Sequence, residues 1–164
     1  MRNFILSSVV LAVFWLYSRH LRAESGVMLD SPDLPRGIRN NNAGNIRISS
    51  IPWRGKKEPN TDGVYEQFIE SADGLHAIKR NLSSYKDIHN INTLRQLAER
   101  WAPNSENNTE AYINVLVREV GIGPDEYIDL EGFLLPKVVS GIVKNENGTN
   151  FGLSWYTLSF IEAS

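Results

Sequence analysis

The sequence contains no cysteine, which excludes disulfides, thiol nucleophiles and cysteine-ligated zinc. Its three histidines, His20, His76 and His89, are scattered and form no HExxH pair. No metal ligand set is therefore expected, and no cofactor. A Gly-x-Ser-x-Gly elbow and a phosphate-cradling glycine loop are absent too, as are internal repeats and low-complexity tracts. Strong charge bias is missing: the 164 residues carry a net charge of −2. The first 22 residues hold three arginines and no acid, leaving 14 basic against 19 acidic residues in the rest, a balance of −5. That balance argues against nucleic acid as a partner. The chain also lacks an apolar run of the ~20 residues that a bilayer span needs.

Its longest run, residues 4–17 (FILSSVVLAVFWLY), lies between Arg2 and Ser18-Arg19-His20-Leu21-Arg22. The length suits a signal peptide, but bulky Trp15-Leu16-Tyr17 offers no small-residue cleavage site. Trp15 and Tyr17 followed by arginines resemble an interfacial belt. Residues 1–22 are therefore read as a membrane anchor, an N-terminal transmembrane helix touching lipid through residues 4–17, with a cleaved signal peptide as the alternative. Residues 23–35, with two prolines, two aspartates and no periodicity, read as a linker. Residues 36–164 form a single domain.

The domain opens on its most informative stretch, Arg36 to Phe68. Asn40 to Asn45 favour a tight turn, because Asn and Gly tolerate left-handed backbone. Ile46, Ile48 and Ile51 suggest one short strand, and Val64 to Ile69 a second. Together they predict a small antiparallel β-lobe, too small for a core of its own. Trp53, between Pro52 and Gly55, is expected to stay partly exposed and stack on a sugar, although a core Trp in a hairpin fits the same spacing. From Ser71 the pattern turns helical. Leu75, Ile78, Leu82 and Tyr85 mark one helix, and Leu94, Leu97, Ala98 and Trp101 a second, capped by Asn92-Thr93 and ended by Pro103. Glu110–Val120 is a third, stopped at Gly121. A fourth opens at Asp129 or Leu130, buries Phe133, Leu134, Val138, Val139, Ile142 and Val143, and closes at Asn147-Gly148. A last short helix covers Leu153–Ile161.

With thiols and metals excluded, carboxylates remain as the reactive groups. Glu146 ends an apolar helix just before Asn147-Gly148, where it can form the floor of a cleft. Desolvation and the negative helix end would raise its pKa and keep it protonated as a general acid; a solvated helix-end glutamate fits the position as well. A partner carboxylate across the cleft is Asp62, in Thr61-Asp62-Gly63, or Glu66 on the second strand. Asp62 also suits a simple turn. Glu106 either faces the cleft or serves the following helix N-terminus. Glu24 lies in the linker, where no helix can present it.

Arg36-Gly37-Ile38-Arg39-Asn40-Asn41-Asn42-Ala43-Gly44-Asn45-Ile46-Arg47 with Trp53-Arg54-Gly55 resembles the start of phage and prophage virion-associated peptidoglycan hydrolases with a lysozyme-like fold. The resemblance continues through Phe68-x-x-Ser71-x-x-Gly74-x-x-Ala77, Arg100-Trp101-Ala102-Pro103, Glu106-Asn107-Asn108-Thr109-x-x-Tyr112 and Glu146-Asn147-Gly148, covering about residues 36–150. Ala43 stands where the family usually has Pro, and His76 where it usually has Arg. The Asn-rich turn and Trp-x-Gly are also similar to the β-lobe of flagellar-type N-acetylglucosaminidases, which place their catalytic glutamate helix ahead of that lobe. Here Glu-Asn-Gly comes last, as though the order were circularly permuted.

The resemblance implies an α+β, mainly α fold: a lysozyme-like helical domain with a small antiparallel β-lobe. It implies a glycosidase or lytic transglycosylase cutting β-1,4 bonds of peptidoglycan glycan strands. Glu146 would be the acid, with Asp62 or Glu66 as partner, and Asn42, Asn45, Trp53, Tyr65 and Glu106 would meet the sugar. Two carboxylates permit hydrolysis, whereas a lone Glu acting as acid and then base leads to transglycosylation. The anchor would hold the domain against the wall from a virion or bacterial inner membrane, among other virion or envelope proteins. The rival expectation is a structural virion or envelope protein that kept the shape and lost catalysis.

Overall fold

A computed structural model describes residues 32–105 and 108–148. The chain divides into two units, Met1–Leu34 and Pro35–Ser164. Among the described residues of the second, five helices follow in order: α1 Arg36–Arg39, α2 Ser71–His89, α3 Leu94–Trp101, α4 Thr109–Val120 and α5 Leu135–Asn147.

Each helix follows from its local sequence. Ser71 is the first residue of α2 rather than its cap, Glu70 holding that position, and Gly74, Leu75, Ala77, Ile78 and Leu82 form the buried stripe. Asn90 ends α2 in a left-handed conformation, φ +53°. Thr93 caps α3 by accepting from the Gln96 N–H, and Asn108 caps α4 by accepting from Ala111. Gly121 closes α4 at φ +85°. α4 packs along α5, and α3 along α4. Leu94, Leu97, Leu116, Val138, Val139 and Ile142 fill the centre of one continuous core.

The expected α+β class is corrected. Among the described residues there is no strand, only the isolated antiparallel bridges Arg47–Tyr65, Lys56–Phe68 and Thr93–Tyr127. The segments expected to pair do meet, with Ile48 N donating to Val64 O and Glu66 N to Ile46 O. The ladder stops there because side chains take the neighbouring backbone groups. Ser49 N donates to the Glu66 carboxylate, Asn60 Nδ2 to Tyr65 O, and Asn41 Nδ2 to Phe68 O and Ile69 O. The lysozyme-like lobe and its permuted order therefore give way to a mainly helical domain carrying an irregular, side-chain-braced loop.

No helix among the described residues is long and apolar enough to cross a membrane. The apolar run at 4–17, expected as an anchor, lies outside the described residues, as do Glu24, Glu106 and the helix expected over 153–161. The last described helix also starts later than its pattern predicts. Residues 129–134 form turns, with Gly132 N donating to Asp129 O and Leu135 N to Gly132 O. Pro136 in the first turn of α5 suits the late start. Phe133, expected inside, is 89% exposed.

Candidate functional site

The loop between α1 and α2 is held by asparagines. Asn41 and Asn45 adopt φ +53° and +46°, which Asn accepts more readily than most residues. Asn42 is fully buried: its Nδ2 donates to Ile46 O and Glu66 O, both at 2.9 Å, and its Oδ1 accepts from Ile46 N at 3.0 Å. Gly44 presses onto α2 and α3, where a Cβ would lie 2.7 Å from Ile78 Cγ1 and 3.1 Å from Trp101 Cζ2. That close approach brings the loop to the end of α5, where Asn147 Nδ2 donates to Ala43 O at 2.7 Å.

Between these parts lies a cleft of about 390 Å³. Gly44, Asn45, Ile46, Arg47 and Tyr65 form the loop wall, and Asn81, Tyr85 and Trp101 the helical wall. Glu146, in the last turn of α5, is the one carboxylate among the described lining residues. Its Oε1 accepts from Trp101 Nε1 and Tyr112 Oη, both at 3.2 Å. Its Oε2 accepts from Asn45 Nδ2 at 2.9 Å. Burial raises its pKa, and the bonds from Asn45, Tyr112 and Trp101, which favour the charged form, do not cancel that effect. Burial and the Glu146 charge push the Tyr112 hydroxyl well above its usual value, so it stays neutral. Tyr85 and Trp101 meet edge-to-face at 6.0 Å. The Arg36 and Arg47 guanidinium carbons lie 4.8 and 5.8 Å from the Tyr65 ring centre.

Of the residues expected at the site, Glu146, Asn45 and Tyr65 come together in this cleft; Asn42, Trp53, Asp62 and Glu66 do not line it. Trp53, expected partly exposed, is only 7% exposed and donates through Nε1 to Ser49 Oγ. Glu66 is fully buried, with Oε1 accepting from Ser49 N and from Lys56 Nζ. Asp62 accepts from Arg36 Nε at 2.6 Å and Arg36 Nη2 at 2.7 Å, and from Asn40 Nδ2. Burial opposes its ionisation, but the bonds from Arg36, Asn40 and the Tyr65 and Val64 amides outweigh burial and hold its pKa far below the usual range. Asp62 is thus a permanently charged turn former.

Sequence reasoning missed Arg47, Asn81, Tyr85, Trp101 and Tyr112 at the cleft. Tyr85 and Trp101 each sit half-buried at the trailing edge of a buried stripe, where an aromatic ring reaches both the core and the cleft. That placement was the available signal.

The fold and site define a helical domain with a half-buried carboxyl under an aromatic- and asparagine-lined cleft. Over 118 residues the chain is 35% identical to "Protein P5" of Pseudoalteromonas phage PM2, covering 70% of this chain and 72% of that protein. The chain belongs to the family of that phage protein. No family model matches the chain.

Proposed function

We propose that the chain cleaves β-1,4 glycan bonds of the bacterial cell wall, with Glu146 as its acid and base. The observation that carries this reading is the Glu146 carboxyl itself. It is partly desolvated, raised in pKa, held by three neutral donors and set in a cleft with aromatic and amide walls suited to a sugar. Protonated Glu146 donates to the glycosidic oxygen as that bond breaks and positive charge develops at the sugar carbon. The resulting carboxylate then takes a proton from the incoming hydroxyl. With a lone carboxylate lining the described cleft, that hydroxyl is the sugar's own, and the reaction is intramolecular transglycosylation. The aromatic rings of Tyr65, Tyr85 and Trp101 supply stacking faces for the glycan.

The test compares the full chain with Glu146→Gln on purified peptidoglycan, by zymogram and reducing-end assay. Clearing by the parent without new reducing ends is expected, and a loss of roughly 10²–10⁴-fold in the variant. Equal clearing by both removes Glu146 from the chemistry. The burial of Asn42 and Trp53, two expected sugar contacts, favours the second reading, a structural virion protein without catalysis. A folded parent that clears nothing selects that reading.

A further inference from the structure

One side chain beside Glu146 is held in a conformation that its own loop does not reward. Asn45 has left-handed backbone at φ +46°, and its buried Oδ1 has no hydrogen-bond partner. The unpartnered oxygen costs free energy, and left-handed backbone, which Asn accepts more readily than most residues, is still a rare conformation. The oxygen abuts Gly37, where a Cβ would lie 2.7 Å from it and 2.5 Å from Asn147 Oδ1, so no larger residue fits there unchanged. The other end of the amide makes two bonds to one residue. Asn45 Nδ2 donates to Glu146 Oε2 at 2.9 Å and to the Glu146 carbonyl at 3.3 Å. A main-chain carbonyl can only accept, so the second bond fixes which way the amide faces.

We infer that Asn45, expected from sequence to touch sugar, is instead the positioning residue for Glu146. Its amide pins the side chain and main chain of the helix end together, and so dictates where the carboxyl proton resides. Trp101 and Tyr112 occupy the acceptor sites of Oε1, and Asn45 takes one of the two on Oε2. A single position on Oε2 is left for the proton. Unfavourable local conformations concentrate where a site uses them, and the bond to Glu146 is what this one serves.

The inference rests on the function proposed above for Glu146, but its first readout does not depend on it. The ionisable groups facing Glu146 are Tyr112 from α4, Tyr85 from α2, and Arg47 and Tyr65 from the loop. The test substitutes none of them. The Glu146 carboxyl is titrated by carbon-13 NMR in the full chain, in the parent, Asn45→Gly and Asn45→Asp. Glycine keeps the left-handed backbone without the amide; aspartate keeps the shape and replaces the donor with an acceptor. The Glu146 pKa rises by about one unit in Asn45→Gly, because the charged form loses a donor, and at least as far in Asn45→Asp. The alkaline limb of the kcat profile moves with it, and kcat falls about tenfold or more at unchanged KM. Asn45→Asp carries the test if Asn45→Gly does not fold. A Glu146 titration unmoved in the folded variants overturns the inference, whatever the chain cleaves. A titration that moves while parent and variants all leave glycan intact upholds the positioning role and removes the glycosidase reading.

Discussion

Replacing Asn42 with alanine strands two buried backbone groups at once, the Glu66 carbonyl and the Ile46 N–H, while the Ile46 carbonyl keeps the Glu66 N–H. The Asn42 amide satisfies the carbonyls of Ile46 and Glu66 and the N–H of Ile46, and the side chain is fully enclosed. A stranded buried group costs about 1–3 kcal/mol. The low half of that range applies here, because the vacated amide leaves room for a water with polar partners. The expected loss is therefore about 2–4 kcal/mol, a large part of the ~5–15 kcal/mol that typically holds a domain together. For a chain of this length that amounts to a fall in Tm of roughly 10 °C. Equilibrium urea unfolding of the full chain, followed by tryptophan fluorescence, reads it as a lower midpoint at unchanged slope. A loss below about 1 kcal/mol would refute the bracing role. So would an Asn42→Ala protein of parental stability whose KM for glycan rises, since that is what a sugar contact predicts.

Glu146→Gln should show a stability gain that depends on pH. The folded-state pKa of Glu146 is raised by burial, so the native state binds its proton more tightly than the unfolded chain does, and stability falls as pH rises from the unfolded value of about 4.3 through the folded one. The variant should therefore melt above the parent at pH 8, with the gap closing near pH 4; a constant gap would contradict the assignment. Phe133→Ala should cost less than about 0.5 kcal/mol, because the ring is 89% exposed. The inward helical position read from the sequence demands about 3–5 kcal/mol in the same urea titration, and a loss of that size would restore it.

The helices were legible because their signals are local. Thr93 and Asn108 hold N-cap positions, Gly121 ends α4, and the stripe from Leu75 to Leu82 repeats at helical spacing. The loop was misread because the same local signals can be spent in two ways. Ile46, Ile48 and Val64 alternate as a strand does, yet Asn42, Asn60 and Glu66 occupy the backbone groups that a sheet needs, and that competition is decided by contacts 5 to 24 residues apart. Phe133 matched a helical stripe, and the turn at Gly132 overrode it. At the site, Glu146 was visible from the apolar helix before it. Its donors Trp101 and Tyr112 come from separate helices, 45 and 34 residues away, and nothing near them in sequence announces that they converge.

The bonds that close the cleft join residues 101 and 104 positions apart, Asn45 to Glu146 and Ala43 to Asn147. On a ribosome the loop therefore waits for almost the whole domain to be synthesised before its carboxyl arrives. Truncated chains ending before residue 146 lack the group altogether, and partly folded ones hold it in water with the pKa of an ordinary glutamate. The raised pKa of the carboxyl thus reports completed folding.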